Sequence, residues 1–336
     1  MPEKMAVLGA GSWGIAISNL LASNRNEVVL WEFNPADFEM LRSQRTHFKK
    51  LPGTRIDDRV RLSNHLPEAI DEARYLVLAV PAQTMRQVCV ALNDIISSDK
   101  IFINLAKGIE VGSLLRVSQI IASIIESSDE TNIATLSGPS HAEEVARNLP
   151  TSVVAASANL ELAANIQKIF SNQYFRVYRS PDLVGVELGG ALKNIIAIAS
   201  GITQGLGFGD NTTGALMTRG LAEISRMGVR LGADPLTFAG LSGIGDLVTT
   251  CISPHSRNRY VGEHIGKGET LPEILNNMVM VAEGVDTCRS AKALAEKYDV
   301  EMPITSEVYK VLFENKSPRE AVTDLMGRTL KEEVWK

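Results

Sequence analysis

Lys193 sits in Glu187-Leu188-Gly189-Gly190-Ala191-Leu192-Lys193-Asn194-Ile195-Ile196, surrounded by small and apolar residues. Withdrawal from water disfavours an ammonium, so a lysine placed there can drop toward a pKa useful for acid/base chemistry. Such a group can protonate a carbonyl oxygen as it becomes an alkoxide. The local sequence leaves a second reading open, in which the stem lies along a helix and carries its charge to solvent. Gly189 and Gly190 each cost a helix about 1 kcal/mol relative to alanine. That cost points to close approach of a substrate or a neighbouring domain.

Other side chains could share this chemistry. Lys107 follows an apolar run at Ile101-Phe102-Ile103-Asn104-Leu105 and is either a site cation or an ordinary loop lysine. Ser140 opens Ser140-His141-Ala142-Glu143, a spacing that predicts a capping box with Glu143 and a helix start aimed at a ligand. Asp246, after Gly243-Ile244-Gly245, can orient Lys193 or merely cap a turn. Ser256-Arg257-Asn258 suits a phosphate, with Arg257 donating two parallel hydrogen bonds, but also reads as a solvated loop. His141 is the rival base; its place beside a helix N-terminus opposes protonation, and His47, His65, His255 and His264 lack a consistent carboxylate setting. The stretch from Gly205 to Gly214 is expected to be a long glycine-rich break between helices.

An anion site of a second kind is written at the start of the chain. Met5-Ala6-Val7-Leu8 runs into Gly9-Ala10-Gly11-Ser12-Trp13-Gly14 and then a helical pattern. Strand, G-x-G-x-x-G and helix in succession form the setting of a dinucleotide-binding turn. Gly9 permits the turn, Gly11 lets backbone approach a pyrophosphate, and Gly14 lets helix pack on strand. Unpaired N–H groups at the helix start complete the anion site. A ligand-free glycine turn is the alternative.

The elements that must position these residues alternate up to residue 180. Val28–Trp31, Tyr75–Val80 (halted by Pro81), Ile101–Leu105, Ile133–Leu136 and Ser152–Ala155 read as strands, with Phe175–Tyr178 as a last candidate. Helical spacing separates them, as in Met85…Val88…Leu92…Ile95-Ile96 and Leu160…Ala163…Ile166…Ile169-Phe170. Near-continuous apolar strands alternating with helices predict a doubly wound, mostly parallel sheet covered on both faces. From residue 181 the pattern is helical, including Val184–Leu206, Leu216–Leu231, Leu271–Met280, Ser290–Tyr298 and Ser306–Phe313. The expectation is two domains, 1–180 and 181–336, α/β then all-α. Ligands of such sheets lie beyond the carboxyl ends of the strands, where the turns at Gly9, Pro81, Lys107 and Gly138 would meet beneath a helical lid.

Composition narrows the partners. The 336 residues are 45% hydrophobic and 22% charged, an ordinary globular balance. A formal net charge of −5 argues against nucleic acid or an acidic membrane as main partner. Cys89, Cys251 and Cys288 fit neither a disulfide framework nor a zinc site, and no metal is expected. No apolar run is judged long enough to span a bilayer, and a strand so near the start leaves no room for a signal peptide. A cytoplasmic setting is expected.

Eight blocks occur in order: G-A-G-S-W-G at 9–14, A-K-G-I at 106–109, S-G-P-S at 137–140, G-G-A-L-K-N at 189–194, G-D-N-T at 209–212, L-S-G-I-G-D-L at 241–247, S-R-N at 256–258 and V-A-E-G at 281–284. In these the chain resembles the NAD(P)-dependent glycerol-3-phosphate dehydrogenase family over essentially its whole length. The resemblance implies a Rossmann-like domain followed by a helical one, of the 6-phosphogluconate-dehydrogenase-like kind. It implies interconversion of dihydroxyacetone phosphate and sn-glycerol 3-phosphate, which supplies glycerophospholipid synthesis, and a homodimer. It implies Lys193 as catalytic acid/base, and Lys107, Gly138, Ser140, Lys193, Asp246, Ser256, Arg257 and Asn258 as substrate contacts. Cofactor contacts it implies are Gly9, Gly11, Ser12, Trp13, Gly14, Phe33, Lys107, Ala142, Arg257, Val281 and Glu283. One departure stands out. Relatives often carry a basic residue or histidine where this chain reads Glu32-Phe33-Asn34, and Glu32 comes 18 positions after Gly14. A carboxylate there binds the ribose 2′-hydroxyl of NAD and repels the 2′-phosphate of NADP. Both cofactors therefore stay open, as does a solvent-facing role for Glu32.

Overall fold

The computed structural model describes residues 2–97, 99–330 and 332–333. Eight strands form one sheet: β1 (Lys4–Leu8), β2 (Glu27–Trp31), β3 (Arg61–Ser63), β4 (Tyr75–Leu78), β5 (Ile101–Asn104), β6 (Ile133–Ser137), β7 (Thr151–Ala156) and β8 (Phe175–Ser180). Their order is β3-β2-β1-β4-β5-β6-β7-β8. Every neighbouring pair is parallel except β6 with β7. In β1, Met5 and Val7 join one core cluster and Ala6 and Leu8 another, so alternate residues bury themselves on opposite faces. That is why the strand has no polar positions after Lys4.

The doubly wound, mostly parallel sheet is as expected, with local differences. β3 lacks an apolar run; it is three residues at the sheet edge with Arg61 exposed. β4 stops at Leu78, and Ala79 and Val80 already belong to the turn before Pro81.

No strand follows Ser180 among the described residues. The helix Leu183–Gly205 starts on Asp182, whose Oδ1 accepts the Gly185 N–H at 2.8 Å. Twenty of its 23 residues are buried, and it forms the axis of the helical core. Contrary to the expectation, this one described helix is long and apolar enough to cross a membrane by length and composition alone. Its burial inside the protein is that of a core helix. The helix Asp210–Arg230 begins at once after Gly209, so the predicted glycine-rich break shrinks to 206–209 and Gly214 is helical. The helix Leu271–Asn276 also ends sooner than its apolar pattern suggests.

Backbone meets backbone where the helix Arg257–Gly266 crosses the axial helix. A Cβ on Gly262 would lie 1.9 Å from Ile198 O, and one on Gly201 would lie 2.0 Å from Arg259 O. This contact fixes Ser256-Arg257-Asn258 beside Lys193.

Candidate active site

A cavity of about 500 Å³ lies beyond the carboxyl ends of β1, β4, β5 and β6. The turns at Gly9–Trp13, Pro81, Ala106-Lys107 and Ser140 line it together, and the helical half supplies Lys193, Asp246 and Ser256–Asn258.

At its floor three charged groups meet. Lys193 Nζ donates to Asp246 Oδ1 at 2.9 Å and to Thr250 Oγ1 at 2.5 Å. Lys107 Nζ donates to Asp246 Oδ2 at 2.7 Å and to Gly138 O at 2.9 Å. Asp246 is 2% exposed and Lys193 5%, so their mutual attraction is little screened. The snorkelling reading of Lys193 is therefore not what the structure shows. Burial pulls the Lys193 ammonium down to about 8; Asp246 resists that shift and Lys107 adds to it. Burial favours protonation of Asp246, but Lys107 and Lys193 together hold its carboxyl below the usual range. Asp246 is the first residue of the helix Asp246–Ile252, and Thr250 one turn later donates its hydroxyl to Asp246 O at 2.7 Å. That turn aims both side chains at Lys193.

Gly190 explains how two lysines come so close. A Cβ there would lie 2.7 Å from Ser137 Oγ and 3.5 Å from Lys107 Cγ. Its role is close approach of the sheet domain, while Gly189 meets Ser242 O in the same way within the helical half.

The turn at β1 fits a dinucleotide. Gly9 has φ +109°, which favours glycine, and a Cβ on Gly14 would lie 1.9 Å from Gly9 O. A Cβ on Gly11 would meet no atom within 4 Å beyond its chain neighbours, so the backbone there is open to close approach by a ligand. Gly11 caps the 12-residue helix Ser12–Ser23 with no side-chain hydrogen bond, which leaves its first N–H groups open to an anion. Trp13 lines the cavity and packs against Phe175 at 6.5 Å between ring centroids. Phe33, 69% exposed, forms the wall beyond β2. Ser12 Oγ donates to Lys50 O at 2.5 Å and touches Met280 Sδ, so a helical-domain segment lies over the turn.

The two family models that match are the NAD-dependent glycerol-3-phosphate dehydrogenase N-terminus, over residues 4–163, and the C-terminus of the same enzyme, over 182–323. The chain belongs to the NAD-dependent glycerol-3-phosphate dehydrogenase family. A relative from Citrifermentans bemidjiense named glycerol-3-phosphate dehydrogenase [NAD(P)+] is 50% identical over 333 residues, covering 99% of each chain. One of the same name from Chlorobium phaeobacteroides strain BS1 is 48% identical, covering 98% of this chain and 99% of the relative. The crystal structure of the glycerol-3-phosphate dehydrogenase of Coxiella burnetii superposes with a TM-score of 0.93 at 34% identity, over 97% of this chain and 99% of that one.

Within this glycerol-3-phosphate dehydrogenase family member, several residues act otherwise than their spacing suggested. Ser140 builds no capping box. The helix is the short Ala142–Ala146 with His141 at its N-cap, and Ser140 Oγ donates to Gly138 O at 2.9 Å. Ala142, buried, and Val281, half exposed, both line the cavity. Asn258 spends its amide on the protein: Nδ2 donates to Asn194 Oδ1 and Oδ1 accepts Gly284 N–H, each at 2.9 Å. Asn194 in turn donates to Lys107 O at 3.0 Å. Ser256 caps the helix Arg257–Gly266 through the Arg259 N–H. What this end offers an anion is the first N–H groups of that helix and the Arg257 guanidinium, which rests on Val281 O at 2.8 Å. Glu283 accepts the N–H groups of Ala82 at 2.9 Å and Lys107 at 3.3 Å, bracing two turns of the sheet. His141 lies between the lysines and His255; burial, then Lys193 and Lys107, lower its pKa. Thr250 and Asn194 went unremarked in the sequence. Thr250, four residues after Asp246, carried a readable helical spacing; Asn194 carried no signal beyond its place beside Lys193.

Proposed function

We propose that this protein catalyses reversible hydride transfer between NAD(P)H and dihydroxyacetone phosphate, giving sn-glycerol 3-phosphate for glycerophospholipid synthesis. The observation that carries the proposal is the buried Lys193–Asp246–Lys107 cluster at the foot of a dinucleotide cradle. The cradle at Gly9–Gly14, with Trp13, Phe33, Ala142 and Val281 around it, would hold the cofactor, which when bound supplies the hydride. Lys193 delivers a proton from Nζ to the C2 oxygen as hydride reaches C2, so the ketone gains both and becomes the alcohol. Asp246 keeps Lys193 charged despite burial, and Lys107 limits how tightly that charge is held. Lys107 and the Gly138–Ser140 turn face the substrate hydroxyl end. Arg257 and the helix start at Ser256–Asn258 take the phosphate. Among the described residues His141 makes no ion pair or hydrogen bond with a carboxylate, and Lys193 and Lys107 oppose its protonation more than Glu143 and Asp246 favour it, so a His–Glu hydroxyacyl dehydrogenase is the weaker reading. A cofactor-binding redox sensor without turnover gives no reason for a buried Lys193 paired with Asp246.

The work is divided between residues 1–180 and 181–336, in a cytoplasmic homodimer joined through the helical half. Steady-state oxidation of NADH and NADPH with dihydroxyacetone phosphate and with a panel of 2-oxo acids and oxoacyl thioesters tests the reaction. Turnover confined to the phosphorylated ketone supports it; turnover with the panel, or none with either cofactor, refutes it. Sedimentation velocity tests the dimer.

A further inference from the structure

At the end of the cavity beyond β2, an ion cluster surrounds the carboxylate that spacing had marked as the judge of the cofactor. Glu32 is only 2% exposed. Its Oε1 accepts the Asn34 N–H at 2.9 Å, and its Oε2 is 3.3 Å from Lys50 Nζ. The same ammonium is 2.8 Å from Asp37 Oδ2. His47 accepts the Lys50 N–H on Nδ1 at 3.2 Å, so Nε2 is the ring nitrogen that carries a proton, 3.3 Å from Asp37 Oδ2. The Lys50 carbonyl takes the Ser12 hydroxyl, which ties this cluster to the β1 turn. Glu32, Phe33 and Lys50 all line the cavity.

A bare carboxylate at this place accepts ribose hydroxyls and repels a 2′-phosphate. Glu32 is not bare. Two of its roughly four acceptor positions are in use, leaving room for a hydroxyl donor. Lys50 has three donors; two are directed to Glu32 and Asp37, and the third is left for the cavity. We propose that Lys50 sets the cofactor range: it screens Glu32 and offers its remaining N–H to the adenosine 2′-substituent, so that the pocket takes both NAD and NADP. The inference deepens the reading above and rests on the dinucleotide lying in this cavity.

Isothermal titration of the full chain with NADH and with NADPH, without substrate, tests it. The unaltered protein should bind both. Lys50→Met should weaken NADPH by about tenfold or more, the weight of a charge-assisted contact, and NADH by less than about threefold. Lys50→Arg should keep NADPH affinity, and only the NADPH affinity should fall steeply with salt. Equal loss for both cofactors in a folded Lys50→Met protein, or no loss, overturns the proposal. If Lys50→Met unfolds because Glu32 is left buried and unpaired, the comparison moves to Glu32→Gln against Glu32→Gln/Lys50→Met. There the double variant should bind NADPH about tenfold more weakly; equal binding overturns the proposal. Unaltered protein that binds NADH but not NADPH overturns this inference alone, whereas binding of neither overturns the placing of the dinucleotide itself.

Discussion

The two ends of the cavity are built in opposite ways. The β1 turn is local: six consecutive residues set its shape, and one of them, Gly11, leaves the space a ligand needs. The lysine cluster is long-range: Lys107, Lys193 and Asp246 come from a sheet turn, the axial helix and a second helix. A local device is specified by backbone geometry and tolerates change in the rest of the fold. A long-range device exists only when both domains pack closely, and here its charges are held by one another at the largely buried floor of the cavity.

If that contrast is right, the largest effects belong to the cluster. Asp246→Asn removes the carboxylate that pairs with both lysines and leaves burial and Lys107 to push Lys193 further toward its neutral form. Breaking a buried pair in this way costs about 3–5 kcal/mol, so thermal or denaturant melts should show a markedly less stable protein with little activity. Survival at near-native stability would mean the cluster is less interdependent than the geometry shows. Lys193→Ala should lower kcat by about 10²-fold or more, with NADH affinity in direct titration unchanged; intact kcat would remove Lys193 from the chemistry.

The pH profile sharpens the same point. Lys193 titrates near 8 rather than near 10.5. With Lys193 as the proton donor proposed above, ketone reduction uses the ammonium, so its kcat should fall above about pH 8, while alcohol oxidation should rise through that pH and level off. The depressed lysine also makes the folded state bind fewer protons than the unfolded one between about pH 8 and 10.5, so its penalty on stability fades as pH rises through that window. A proton-transfer limb nearer 10.5 would contradict the buried setting.

Arg257→Ala removes a charge-assisted contact worth about 1.5–3 kcal/mol. The expectation is a ten- to hundredfold rise in KM for dihydroxyacetone phosphate, with no change toward unphosphorylated dihydroxyacetone; equal losses on both would show that Arg257 does not hold phosphate. The smallest effects separate the roles within the β1 turn. Gly14→Ala drives a Cβ to 1.9 Å from Gly9 O and should cost about 1–3 kcal/mol of stability. Gly11→Ala meets no protein atom, so melting should barely move while cofactor affinity falls. A destabilised Gly11→Ala would show that the turn is packed by the fold rather than left open for a ligand.

Much of the fold was legible because buried strands and amphipathic helices write themselves as apolar patterns. β1, β2 and the helix Leu160–Phe170 were readable for that reason. β3 was not, since an edge strand with one apolar residue leaves no pattern. Ser140 misled because a capping-box spacing is a local preference, and the short helix Ala142–Ala146 begins one residue too late to use it. Lys193 was marked by its apolar flanks, yet whether its charge was buried or snorkelled turned on Asp246, 53 residues away. Glu32 was marked by spacing alone; the cation beside it had no signal, because Lys50 reaches it across a loop that follows another helix.

By itself the sequence determined the glycine turn after β1, the alternation that makes a doubly wound sheet, the helical second half and the family. Each follows from local backbone preference or from residues that recur in order. Only the tertiary structure decided which side chains share a charge, which amides are spent on the protein, and that Glu32 is paired rather than bare. Those facts depend on distances between groups far apart in the chain, and such distances are set by how the helices and the sheet pack.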